Sequence, residues 1–232
     1  MDYSEYYLIN YGLPILGILI TAIAQFFVTS SYNKYKKKKT EISKKGSEVA
    51  REILDKNGLN NIKVVSTSGT LSDHYDPKAK VVRLSRDIYE GTSIASVSVA
   101  AHECGHAIQH KVGYTPLKIR SALVPVVNFS TKFGYIIVMI GIILGALNLA
   151  IIGLILLLGM LLFQLVTLPV EFNASKRAKE ELSELHILTE REQSGSGTML
   201  KAAAFTYVAG VLTTFLQVLR LALIAFSRSD DR

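Results

Sequence analysis

Between Phe133 and Val170 the chain runs for 38 residues without a charged side chain, and only Lys132 separates that run from the uncharged stretch Ser121 to Thr131. Few folds are open to such a segment. Backbone amides cannot be left unpaired in hydrocarbon, so a run this apolar is expected to be helical. At about 1.5 Å per residue it is too long for one crossing of a bilayer core about 30 Å thick, and long enough for two. Residues 121–170 are therefore predicted to form a transmembrane helical hairpin that turns at Gly145-Ala146-Leu147-Asn148. Lys132 is expected to snorkel to the headgroups.

Two further segments qualify. No charge lies between Tyr6 and Asn33, so 6–33 reads as a first span. Its Ala22-Ile23-Ala24 has the small-x-small look of a cleavage site, but the positive stretch that precedes a signal peptide is missing and lysines follow instead. Residues 202–227, interrupted by Arg220 and dotted with Thr and Gln, read as a weaker fourth helix, crossing the membrane or lying at its interface. The composition agrees, with 49% hydrophobic against 19% charged residues.

Position gives the net charge of +7 its meaning. Asp2 and Glu5 precede the first span, whereas Lys34, Lys36, Lys37, Lys38 and Lys39 follow it, which predicts an external N-terminus. Of 26 basic residues, 17 lie between Lys34 and Arg120 and 5 between Lys176 and Lys201, so 34–120 and 171–201 are both expected in the cytoplasm. The lysine block directly after a span reads as a topology signal and a contact with the lipid bilayer; no nucleic-acid partner is expected. A single cysteine, Cys104, excludes a disulfide framework and a CxxC zinc module.

In the polar part, Thr40 to Asn57 reads as a helix stopped by Gly58. Ile62–Val65 and Lys80–Leu84 read as short strands of a hairpin or small sheet, separated by the turn-rich Ser72-Asp73-His74-Tyr75-Asp76-Pro77. A long helix capped by Thr92 or Ser93 runs to Gly113, and Gln193-Ser194-Gly195-Ser196-Gly197 reads as a flexible linker into the last helix.

The chemistry sits on the long helix as His102-Glu103-Cys104-Gly105-His106. Four residues of helix place both imidazoles on one face, where each can offer a nitrogen to one tetrahedral zinc ion. Glu103, beside the first of them, suits a general base that takes a proton from a metal-activated water. His110 is excluded as a third ligand because it lies eight residues from His102, about 12 Å along the helix axis. Cys104 points to another face and is expected to pack. Glu171, directly after the third span, is the better candidate: Ala174, Ser175 and Ala178 share its face and would let another helix approach. Taken alone it reads equally well as an interfacial glutamate at a helix start. Glu180, Glu181 and Glu184 read as a solvated face.

These segments together, with Lys80-Val81-Val82-Arg83-Leu84-Ser85, Val99-Ala100-Ala101-His102-Glu103, Glu171-Phe172-Asn173-Ala174-Ser175 and Ala203-Ala204-Phe205-Thr206-Tyr207-Val208-Ala209, resemble the bacterial membrane-bound neutral zinc metallopeptidases of the YugP-like family. That family is distantly similar to the membrane CAAX-prenyl and heat-shock membrane proteases. The resemblance implies one zinc ion per chain held by His102, His106 and Glu171, with Glu103 catalytic. It departs from the wider group's ExxxD pattern, because Ser175 stands where an aspartate would orient a histidine, so that partner is expected elsewhere or not at all.

The expected architecture is a mainly α membrane protein of about four transmembrane helices with a cytoplasmic, zincin-like α+β metalloprotease domain containing a small β-hairpin or sheet. The expected activity is a zinc-dependent endopeptidase of the bacterial cell membrane, multi-pass, with its site facing the cytoplasm and protein or peptide substrates, chiefly membrane proteins. The competing expectation is a non-enzymatic membrane scaffold or transporter stabilised by zinc, and Glu103 separates the two: a structural site has no use for a general base and normally closes with four protein ligands.

Overall fold

The computed structural model describes residues 3–70 and 72–230, with side chains described as far as Ser227. It is mainly helical. Helix α1 (Tyr3–Tyr7) passes through a π-helical turn (Leu8–Gly12) into α2 (Leu13–Lys36). Then come α3 (Gly46–Lys56), strands β1 (Lys63–Thr67), β2 (His74–Asp76) and β3 (Val81–Ser85), and helices α4 (Arg86–Tyr89), α5 (Ile94–Lys111), α6 (Thr115–Leu144), α7 (Leu147–Glu184) and α8 (Glu190–Asp230). Four helical stretches, Tyr3–Lys36, Thr115–Leu144, Leu147–Glu184 and Glu190–Ser227, are long and apolar enough to cross a membrane.

The chain divides into two compact units: one of Met1–Gln25, Lys118–Leu168 and Thr206–Arg232, the other of Phe26–Leu117 and Pro169–Phe205. In the first, α6 and α7 form the expected hairpin, and Gly145, at a φ of 63°, makes its turn where a side chain would be strained. The two helices meet through small residues: a Cβ built on Gly141 would stand 2.4 Å from the Ala150 backbone nitrogen, and one on Gly153 would stand 2.5 Å from that of Val138. Val138, Ile142, Ala150, Leu154 and Leu157 pack there with Val218, Leu221 and Ala225 of α8.

The second unit holds a three-stranded sheet in the order β1-β3-β2, whose larger core gathers around α5. β3 is central, parallel to β1 and antiparallel to β2. The two strands expected from sequence are therefore not each other's hairpin partners, and the turn-rich segment between them contains a strand of its own. Side-chain anchoring explains this: Asp73 accepts from the backbone N–H of Ser85 at 2.7 Å, and Asp76 accepts from the N–H groups of Lys78 and Ala79 at 3.0 Å, bending the chain back along β3.

Helix α3 starts at Gly46 rather than Thr40. Residues 39–46 pair instead with the loop before α5, through Thr40 N–H to Thr92 O (2.9 Å) and Gly46 N–H to Gly91 O (2.9 Å). The supposed linker Gln193–Gly197 is likewise not a linker but the second turn of α8. Thr189 and Glu192 form a capping pair, the glutamate accepting from the Thr189 N–H at 2.8 Å, and this starts the helix ahead of the Gly/Ser run. Its small residues serve packing: a Cβ on Gly195 would meet the Tyr35 ring at 2.6 Å, and Ser196 accepts from the Ser98 hydroxyl at 2.7 Å.

A linker would tolerate substitution in this run and a packed helix would not. Gly195→Leu should lower stability by about 1–3 kcal/mol through overpacking. Gly197→Ala, whose Cβ would meet the end of the Lys179 side chain at an ordinary 3.6 Å, should raise it by about 0.5–1 kcal/mol through helix propensity. Thermal melts in detergent check both.

Candidate metal centre

Helix α5 is capped by Ser93, whose hydroxyl accepts from the Ser96 N–H at 3.1 Å, and it ends before Gly113 at a φ of 65°. In its first half Ala95, Val97, Ala100 and Ala101 are fully buried, and Val99 is partly so. One turn further on, His102 and His106 share a face, their rings 4.8 Å apart and at 86° to each other.

The third group arrives on α7. At Gly105 the α7 backbone comes so close that a Cβ would stand 2.6 Å from the Ala174 carbonyl oxygen, while Ala174 and Ala178 are completely buried. The small-residue stripe read from sequence thus faces α5. It carries Glu171 into the site, with Oε2 at 3.3 Å from His102 Nε2 and 3.7 Å from His106 Nε2. One ligand atom from each of His102, His106 and Glu171 falls within 4.8 Å of the others, and among the described residues no other group of His, Cys, Asp and Glu gathers in this way.

The donor set suits zinc. Bonds of about 2.0–2.1 Å to a tetrahedral ion separate two donors by about 3.3 Å, close to the distances from Glu171 to the imidazoles. Each histidine also has its other ring nitrogen engaged: His102 Nδ1 lies 3.2 Å from Ser175 Oγ, and His106 Nδ1 lies 3.0 Å from Gln109 Oε1. Both Nε2 atoms are thereby turned towards the carboxylate. Ser175 itself is therefore the partner of His102, a hydroxyl standing where the wider group has a carboxylate, rather than some group from elsewhere.

The electrostatics follow from the crowding. Burial alone would lower the pKa of His106, but its hydrogen bond to Glu171 and the charges of Glu103 and Glu171 outweigh this and raise it. Glu103 follows His102 directly and is 8% exposed.

The remaining sequence candidates lie apart from the cluster. His110 hydrogen-bonds through Nδ1 to the Tyr75 hydroxyl at 3.0 Å. Cys104 is buried with its sulfur 3.5 Å from Ala50 O, and burial pushes its thiol far above the usual value, so it packs as a neutral group. Glu181 is not on a solvated face: it pairs with Lys56 at 3.0 Å and accepts from the Asn57 amide at 2.9 Å, tying α7 to α3. Sequence reasoning passed over Gln109 and Asn173. A signal for Gln109 existed, since three residues after His106 it shares that histidine's helical face.

Residues 10–226 match the family model described as "Putative neutral zinc metallopeptidase". A curated relative from Bacillus subtilis (strain 168), named "Putative membrane protease YugP", is 43% identical over 219 residues, covering 94% of this chain and 97% of the relative. No solved structure matches the chain. With the family model spanning nearly all of its length and His102, His106 and Glu171 drawn together in its fold, the chain belongs to this family of neutral zinc metallopeptidases.

Proposed function

We propose that the protein is a multi-pass endopeptidase of the bacterial cell membrane that uses one zinc ion per chain to hydrolyse peptide bonds of membrane or membrane-proximal proteins. The observation that carries this reading is the convergence of His102 Nε2, His106 Nε2 and Glu171 Oε2 in one place, with Glu103 next to His102 in the chain. His102, His106 and Glu171 would hold the ion. Zinc bound there supplies Lewis acidity that brings the pKa of a water molecule down to about 7. Glu103 takes the water proton as the oxygen bonds to the peptide carbonyl carbon, then passes that proton to the departing amine as the C–N bond breaks. With three residues among those described to hold the ion, a fourth position would be left for water or substrate, as catalysis needs and a structural site does not. The name of the Bacillus subtilis relative, a membrane protease, points to the same substrate setting.

The charge distribution supports an external N-terminus with residues 34–120 and 171–201, and hence the site, in the cytoplasm. Asp2, which contributes to that assignment, lies outside the described residues. Cysteine labelling of intact cells should reach Asn148→Cys but not Lys45→Cys, with little background because Cys104 is buried. The reverse pattern would overturn the orientation.

Metal content gives the next test. Zinc bound per purified chain should fall towards zero in His106→Ala and in Glu171→Ala and stay unchanged in His110→Ala; full retention in Glu171→Ala would remove that residue from the site.

Glu103→Gln should keep the fold and the zinc while proteolysis of casein or of an unfolded membrane protein slows by about two to four orders of magnitude, because glutamine keeps the shape but cannot accept the proton. Cleavage at the parent rate would exclude Glu103 as the base, whereas no cleavage by either protein would favour a zinc-stabilised scaffold.

A further inference from the structure

We infer that Gln109 is a positioning residue that locks His106 in the tautomer able to bind metal, an inference that rests on the zinc reading above. Gln109 is completely buried on α5 and makes three hydrogen bonds. Its amide nitrogen lies 2.7 Å from the Val170 carbonyl and 3.1 Å from Asn173 Oδ1, and its amide oxygen lies 3.0 Å from His106 Nδ1.

Which way the amide points is decided by chemistry. A backbone carbonyl can only accept, so the group facing Val170 O must be the NH2. Asn173 Oδ1 is held in turn by Arg177, whose Nε donates to it at 2.9 Å and can do nothing else. Two fixed acceptors therefore claim the Gln109 nitrogen, which leaves its oxygen towards His106. An oxygen there requires a proton on Nδ1, and a neutral imidazole protonated at Nδ1 has its lone pair on Nε2, the atom that faces Glu171.

His102 is held differently. Its partner is the Ser175 hydroxyl, 3.2 Å from Nδ1, which can donate or accept with equal ease and so imposes no tautomer. Of the two histidines, His106 is thus the one prepared before metal arrives. Arg177, Asn173 and Gln109, none of which the HExxH pattern includes, carry that constraint from α7 to His106.

The test uses the full chain in detergent and the metal alone as probe, with zinc affinity measured against a competing chelator. Gln109→Leu should weaken zinc binding about 10- to 100-fold. Gln109→Glu should stay within a few-fold of the parent, because its carboxyl group, held protonated by burial against the Val170 carbonyl, still donates to Val170 O and accepts from Nδ1. That rescue separates tautomer control from packing, since either variant disturbs the packing. Equal loss in both variants, or no loss in Gln109→Leu, would overturn the inference while leaving the zinc reading intact. A parent that binds no zinc would overturn both. Should Gln109→Leu not fold, 15N spectra of histidine-labelled, metal-free parent protein decide the matter once the pH has been raised until the His106 signals are those of a neutral ring. With His106 assigned by its absence in His106→Ala, a proton on Nδ1 is expected, and a proton on Nε2 would overturn the inference.

Discussion

The candidate metal centre depends on the contact of two helix backbones at Gly105. Two ligands four residues apart on one helix come from local geometry, but Glu171 lies 65 residues beyond His106 and must be brought in by packing. The missing side chain at Gly105 lets the Ala174 carbonyl lie where a Cβ would otherwise be, and Ala174 and Ala178 keep α7 flat against α5. Metal sites tolerate errors of only a few tenths of an ångström in their bonds. Any side chain at Gly105 that held the helices apart would therefore detach the carboxylate from the imidazoles before it unfolded the unit.

That close approach also buries polar groups, and each has to be answered. Gln109, completely enclosed, uses its amide fully by bridging the His106 ring, a backbone carbonyl and Asn173. A buried polar side chain left half satisfied would destabilise the fold by about 1–3 kcal/mol, so the network that orients the histidine is also the one the helix pair needs in order to pack. Ser175 engages the Nδ1 of His102 with a neutral hydroxyl that can donate or accept. In place of the carboxylate of the wider group, this makes one less charge in a site that already holds Glu103 and Glu171.

The same use of small residues recurs in the other unit, where Gly141 and Gly153 bring α6 and α7 together. In hydrocarbon, pairing two apolar helices would bring no hydrophobic gain, so close van der Waals contact would have to hold them, and glycine permits the closest. Across the chain, glycine works both at turns that need a positive φ, such as Gly113 and Gly145, and at helix contacts that need an absent Cβ, such as Gly105 and Gly195. The two roles cannot be told apart from sequence, and for this reason the run Gln193–Gly197 reads as a linker although it is helix.

What the sequence determined by itself is whatever local physics sets. The long uncharged runs favour helices, because a helix pairs its backbone amides within its own segment, as a lipid surrounding would require. Ser93, Gly113 and Gly145 place helix ends and a turn through their own conformational preferences, and the spacing of His102 and His106 puts two imidazoles on one face. The tertiary structure decided whatever depends on distant partners. Strand β2 exists because β3 lies beside it and Asp73 reaches Ser85, and α3 begins late because residues 39–46 pair with the loop before α5. The partners of the two histidine Nδ1 atoms belong to the same class: a serine and a glutamine acquire their roles only when α5 and α7 pack, since a hydrogen bond across elements leaves no periodicity in the chain for local rules to read.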